Sequence, residues 1–318
     1  MPDHALLLVS SMLVVVMAHL SCADGAVGTG KSKISAVFMF GDSIVDPGNN
    51  NNRLTEARAN FPPYGQDFPG GKATGRFSNG RVPGDMLGWS PTITKGKEKG
   101  RKPGFLHNFE EKLITLVGEE EATRVISEGI YFTAMGANDI ANNYFSIPLR
   151  RHQYDLPSYV NFLISSAVNF TMKLNDIGAN RIGFFGIPPI GCCPSQRKHG
   201  SRECDTLQNQ AAELFNSGIE KEIERLNAER NVHDSRFAYL DIYYNLLELI
   251  QQHDFYGFKE VTEGCCGSNV LNAAIFIQYH PACPNAYDYI FWDSFHCTEK
   301  AYNIVVDEIF QQNLHYLM

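Results

Sequence analysis

Two short segments, some 250 residues apart, hold side chains that could act together as a nucleophile and its base. Ser43 lies in Phe40-Gly41-Asp42-Ser43-Ile44-Val45-Asp46, directly after the apolar run at 36–40, which reads as a buried strand. A serine where a strand breaks into Gly-Asp lifts its hydroxyl off the sheet edge, within reach of a substrate. Far downstream comes Phe291-Trp292-Asp293-Ser294-Phe295-His296, with an acid and an imidazole three positions apart. On a tight turn, that spacing lets Asp293 hold one imidazole nitrogen while the other faces outward. Nucleophile, base and orienting acid are the parts of a serine-hydrolase triad.

Each half also has a plainer reading. Gly-Asp-Ser suits a strand-to-helix turn in which Asp42 or Ser43 is only a cap, and Asp-x-x-His arises readily by chance. Yet the chain has ten histidines, and Asp293–His296 is its only pair with this spacing. A rival motif, Gly25-Ala26-Val27-Gly28-Thr29-Gly30-Lys31-Ser32, matches the phosphate-binding loop G-x-x-x-x-G-K-S. A working loop of that kind follows a strand and opens a helix, so that amides and the helix dipole converge on phosphate. Here an apolar leader precedes it and a strand follows within a few residues, so the nucleotide reading is rejected.

The elements that position these residues alternate between short apolar runs and longer helical patterns, which argues for parallel strands joined by helical crossovers. Strands are expected at 36–40, 130–135, 181–185 and 237–241. A helix follows Pro157, capped by Ser158, with Val160, Leu163, Ile164, Ala167, Thr171 and Leu174 on one face. Further helices are expected over 204–230 and 298–317. The segment 95–103 alternates Lys and Arg with Gly and reads as a solvated linker.

The 318 residues are 44% hydrophobic and 19% charged, enough to bury a substantial core and unlike a disordered chain. A net charge of -8 favours neither nucleic acid nor an anionic membrane as partner. Residues 1–23 read as a signal peptide: the stretch 5–17 is uncharged and apolar but too short to span a bilayer, and Ser21-Cys22-Ala23 offers a cleavage point. The start lacks the usual Lys or Arg. Residues 24–318 then form a single exported domain with no stable membrane insertion. In an oxidising compartment the cysteines read as disulfides plus an odd thiol. Sequence proximity pairs Cys192 with Cys204, and Cys283 with either Cys265 or Cys266, leaving Cys193, Cys297 and the unused neighbour as thiols. No Cys-x-x-Cys or His-Glu-x-x-His occurs, so neither a metal nor any other cofactor is expected. Asn169-Phe170-Thr171 is the one glycosylation sequon, and its helix position turns Asn169 toward water.

The motifs together resemble the plant GDSL esterase/lipases of the SGNH hydrolase superfamily. The first block is Phe40 to Asn51. Ala59-Asn60-Phe61-Pro62-Pro63-Tyr64-Gly65, Thr74-Gly75-Arg76-Phe77-Ser78-Asn79-Gly80-Arg81, Gly136-Ala137-Asn138-Asp139, Pro188-Pro189-Ile190-Gly191-Cys192, Cys265-Cys266-Gly267 and Trp292-Asp293-Ser294-Phe295-His296 follow in family order. The resemblance implies a three-layer α/β/α, flavodoxin-like parallel sheet with the site at the carboxyl ends of the strands. It also implies a secreted esterase or lipase acting on small-molecule or lipid acyl esters. Ser43 would be the nucleophile, His296 the base and Asp293 its orienting acid. The oxyanion would be held by the Ser43 amide and the Asn138 side chain, with Gly136 at the same turn, and by a glycine amide from a second block.

That second block is missing. Between Gly88 and Leu106 the chain has only the Lys/Gly linker, so a strand and the oxyanion glycine are absent, and the first strand is expected to be a bare edge. Cys297 stands where the family usually has proline, and a cysteine often found between Cys266 and Cys283 is lacking. The alternative function is therefore a weakened or inactive member of the same family.

Overall fold

The structure, a computed structural model, describes residues 13–17, 34–52, 55, 58–87, 105–147, 150–198, 201–229, 235–267, 282–312 and 316–317. The linker at 95–103 lies outside the described residues.

Four parallel strands form the centre: β2 (Val37–Gly41), β3 (Ile130–Ala134), β4 (Arg181–Phe185) and β5 (Arg236–Leu240), side by side in chain order. Each lies within one residue of its sequence expectation. β2 and β3 are buried along their whole length, as strands covered on both faces must be. Their alternating side chains feed two cores. Phe38, Phe40, Tyr131, Ile182, Phe184 and Phe237 face one side. There they meet α2 (Phe105–Val117), α3 (Glu119–Glu128), α4 (Leu156–Asp176) and α5 (Thr206–Glu229). Met39, Phe132, Phe185, Ala238 and Leu240 face the other, against α6 (Tyr243–Gln251) and α7 (Glu299–Gln312). Helices on both faces of a parallel sheet make the expected three layers.

The free side of β2 carries an addition. β1 (Leu13–Met17) pairs with it antiparallel, Leu13 opposite Gly41 and Met17 opposite Val37. The expected bare edge is therefore covered, because the apolar strand at 13–17 satisfies the β2 backbone groups. A chain cut after residue 23 loses that partner.

Helix α4 corrects one expectation. Its cap is Asp155, whose side chain accepts from the Ser158 amide at 2.8 Å, and Pro157 sits inside the first turn. Ser158 is the donor in that cap, not the capping side chain. Pro is tolerated there because first-turn amides have no partner within the helix. Along α4, Val160, Leu163, Ala167, Thr171 and Leu174 are buried and Ile164 is half-buried, as the periodicity required.

A second, two-stranded sheet pairs β6 (Glu260–Gly264) with β7 (Tyr289–Phe291) in parallel. β7 runs straight into Trp292-Asp293-Ser294-Phe295-His296, and α7 begins three residues after the histidine. The loop at 58–82 is fastened to that same α7 start. Asn79 Oδ1 accepts from the Glu299 amide at 2.8 Å, and Arg81 Nε donates to Glu299 Oε1 at 2.6 Å. The short helix α1 (Pro83–Leu87) is tied back to the loop by Arg76, which donates to both oxygens of the largely buried Asp85 at 2.5 and 2.6 Å. Deleting either partner would leave a charge stranded, a loss of about 3–5 kcal/mol.

Candidate active site

Gly41 is the last residue of β2, opposite Ala134, the last residue of β3. A Cβ on Gly41 would stand 2.5 Å from the Ala134 carbonyl oxygen, so only glycine lets the two strands end this close together. Residues 43–45 form one 3-10 turn, capped by Asp42, whose Oδ1 accepts from the Ile44 amide at 3.1 Å. Ser43 thus opens a helical turn, where the first amides have no acceptor in their own turn and point outward.

The Ser43 hydroxyl donates to Nε2 of His296 at 2.7 Å. Nδ1 of the same ring donates to Asp293, 2.8 Å from Oδ2 and 2.9 Å from Oδ1. With its proton on Nδ1, the imidazole keeps Nε2 as an acceptor. The turn itself holds Asp293: Oδ1 accepts from the amides of Phe295 and His296, each at 2.8 Å. An aspartate bonding amides two and three residues on is a common turn device, and here it aims the carboxylate at the ring. The three residues singled out from sequence are therefore one hydrogen-bonded unit.

Charge follows this geometry. Burial alone would push the Asp293 carboxyl up, but the His296 charge and the bonds to its ring and amides hold it below the usual range. Burial would push His296 down, yet the carboxylate against Nδ1 outweighs it and raises the imidazole above 6.5.

Asn138 leaves the end of β3 through Gly136, whose φ of +103° lies in the left-handed region. A Cβ there would also crowd Ile187 and Phe215 at 3.1 Å. What this geometry explains in Gly136 is the turn. The Asn138 amide is held at both ends. Its Nδ2 donates to Asp42 Oδ2 at 3.5 Å, and its Oδ1 accepts from Asn142 Nδ2 at 3.2 Å. Asn142 reaches back from a wide helical segment, Asp139–Ser146, so these two bonds orient the amide, whose NH₂ carries a second N–H. Burial raises the Asp42 carboxyl to about 6.

Two contributors were not foreseen individually. The Tyr64 hydroxyl donates to Asp293 Oδ2 at 2.7 Å, and the Phe77 ring lies 4.8 Å from the imidazole centroid. Both come from loop segments that the sequence marked only as blocks.

Cys192 is bonded to Cys204, and Cys265, not Cys266, takes Cys283. Cys193, Cys266 and Cys297 are free thiols. Cys297 is buried, and its carbonyl accepts from Ser78 Oγ at 3.1 Å, so the position after the histidine is tied down without a proline. Asn169 is exposed on α4. Among the described residues, no group of His, Cys, Asp and Glu gathers to hold a metal, and no helix is long and apolar enough to cross a membrane.

A family profile described as GDSL-like Lipase/Acylhydrolase matches residues 37–309, from β2 into α7. The chain belongs to this family. It is similar to the GDSL esterase/lipase EXL2 of Arabidopsis thaliana, 35% identical over 333 positions that cover 87% of each chain. It is also similar to the GDSL esterase/lipase At1g58525 of the same plant, 34% identical over 347 positions covering 95% of this chain and 98% of that one. A third, At5g42170, is 36% identical across 87% of this chain and 85% of its own. Membership makes the chain a hydrolase acting on ester bonds. The alignment with At1g58525 runs longer than the 318 residues here, so that relative carries residues with no counterpart in this chain.

Proposed function

We propose that this GDSL-family chain is an exported serine esterase that cleaves carboxylic acyl esters through Ser43, His296 and Asp293. The observation that carries the proposal is the continuous line from Ser43 Oγ to Nε2 at 2.7 Å and from Nδ1 to the Asp293 carboxylate at 2.8 Å. Ser43 Oγ attacks the ester carbonyl carbon as Nε2 takes its proton. The charge that develops on the carbonyl oxygen is met by the Ser43 amide and a side-chain N–H of Asn138. Collapse breaks the bond to the alcohol, which leaves with the proton from Nε2. A water then gives a proton to Nε2 and attacks the acyl-enzyme, releasing the acid and restoring Ser43.

Export is supported by the apolar leader and by two disulfides, which persist in oxidising compartments. Hydrolysis of short p-nitrophenyl esters tests the chemistry. Ser43→Ala and His296→Ala should each remove nearly all turnover and the double variant little more, since triad losses do not add. Turnover surviving Ser43→Ala would sink the assignment.

The second reading is a weakened enzyme, favoured by the absent block between Gly88 and Leu106. One lost oxyanion donor costs about 10²–10³ in kcat. Restoring a family second block should return about that factor with little change in KM. Equal kcat values would show that the chain needs no such donor.

A further inference from the structure

Asp293 is 4% exposed and surrounded by donors from its own turn and from one distant loop. Oδ1 accepts from the amides of Phe295 and His296, and the imidazole Nδ1–H lies against both oxygens. At Oδ2 the second donor is a phenol from a loop 229 residues earlier in the chain: Tyr64 Oη donates at 2.7 Å. Tyr64 is itself 8% exposed. Its ring meets Phe61, Phe77 and Trp292 edge-on, at centroid distances of 5.3, 6.1 and 6.2 Å. Trp292 immediately precedes Asp293, and Phe77 lies against the imidazole. The Gly65 amide donates to the Ser78 carbonyl at 3.0 Å, closing the loop so that Tyr64 and Phe77 reach the acid and the base from one side.

We infer that Tyr64 is a positioning residue of the acid–base couple: its phenol shares the Asp293 charge at Oδ2 and fixes the carboxylate's orientation toward the imidazole of His296. The inference rests on the triad reading proposed above. A buried carboxylate with one oxygen under-satisfied is costly, and a hydrogen bond to a charged group is among the stronger ones. Burial, followed by the Asp293 charge, pushes the phenol well above 10, so it remains a donor throughout the working pH range. By sharing the negative charge, the phenol also tempers the basicity that Asp293 confers on the ring. Without it, the carboxylate leans harder on the imidazole Nδ1–H, and the imidazolium becomes easier to form. Less of the base is then free at a given pH, and the ring is less firmly aimed at Ser43.

Tyr64→Phe keeps the ring packing and removes only the donor. With short p-nitrophenyl esters, kcat should fall about 5- to 30-fold, with KM within about twofold, since the phenol acts through Asp293 and not on substrate. The acid limb of kcat/KM should move up by about half a pH unit to one unit. Phe61→Leu, which loosens the packing of the same ring, should lower Tm and leave the limb in place. A titration of His296 by NMR, followed through its nitrogens and the downfield Nδ1 proton, reads the same shift without any turnover. Loss of hydrolysis in Ser43→Ala, with Tyr64→Phe leaving kcat, the acid limb and the imidazole titration unchanged, overturns the inference and leaves the esterase reading intact. An upward shift of the imidazole titration in Tyr64→Phe, in a chain without ester turnover, upholds the inference and removes the esterase reading.

Discussion

Replacing Asp293 by Asn changes one atom of the couple, and the structure dictates where that atom goes. Oδ1 accepts from two backbone amides at 2.8 Å. An NH₂ group at that place would face two donors, so the amide oxygen must stay there. The NH₂ therefore takes the Oδ2 place, against Nδ1 of His296 and the Tyr64 hydroxyl, which lie 2.8 and 2.7 Å from that oxygen in the parent. The hydroxyl can rotate and accept. Although Nδ1 also lies 2.9 Å from the Oδ1 place, an NH₂ at 2.8 Å sets donor against donor and disfavours the proton on Nδ1, so the proton is expected to move to Nε2 and point at Ser43. A ring in that tautomer cannot take the Ser43 proton. The corresponding change in the chymotrypsin-type triad costs about 10⁴ in kcat, which is about 5 kcal/mol of transition-state stabilisation. The same factor is expected here, with KM little changed because no substrate contact is touched. The assay is steady-state hydrolysis of p-nitrophenyl acetate, paired with nitrogen NMR of His296 to read the tautomer. A kcat within tenfold of the parent, or a proton still on Nδ1, would refute the reasoning.

Three further outcomes follow from the charges and the cross-links. His296 is raised above 6.5, so kcat/KM should climb with pH through an acid limb above that value, and Asp42, at about 6, should steepen its lower part. Stability runs the other way: a raised imidazole contributes below 6.5 and loses that contribution as pH rises through the folded value, while Asp293's share is lost only in acid, below 3.8. Melting curves against pH should show this decline, and His296→Gln should flatten it. Cys283→Ser opens the 18-residue link to Cys265 and should cost about 3 kcal/mol in urea unfolding, whereas Cys266→Ser should cost well under about 1.

The parts of the site that were legible in sequence are those made by short-range rules. A strand ending in Gly-Asp-Ser and an Asp-x-x-His pair each reveal a local turn, and triad chemistry with the ordered family motifs joined them, although the second turn leaves β7 of the small sheet. Tyr64 and Phe77 gave no such signal. They lie in a loop without periodicity, and their partners are more than 200 residues away, so only the fold reveals what they touch. The choice between Cys265 and Cys266 was open for a similar reason. The two differ by one position, and the side facing Cys283 is set by the pairing of Cys265 and Cys266 amides with the Phe291 and Trp292 carbonyls. At the start of α4, Asp155 and Ser158 are both good caps. Pro157 drew the boundary too late, because a proline inside the first turn looks in sequence like a proline before it. Strand β1 was hidden by its context: an apolar run near the amino terminus reads as a signal whether or not it also pairs with β2.

The central claim is that Ser43 is a nucleophile activated by His296, and covalent capture tests it most directly. A fluorophosphonate probe should add one phosphonyl group to the folded chain, and peptide mass spectrometry should place it on Ser43. The reaction should fail in His296→Ala and slow sharply below pH 6.5, where the imidazole is protonated. A label on another serine, or labelling of Ser43 at the same rate without His296, would contradict the account.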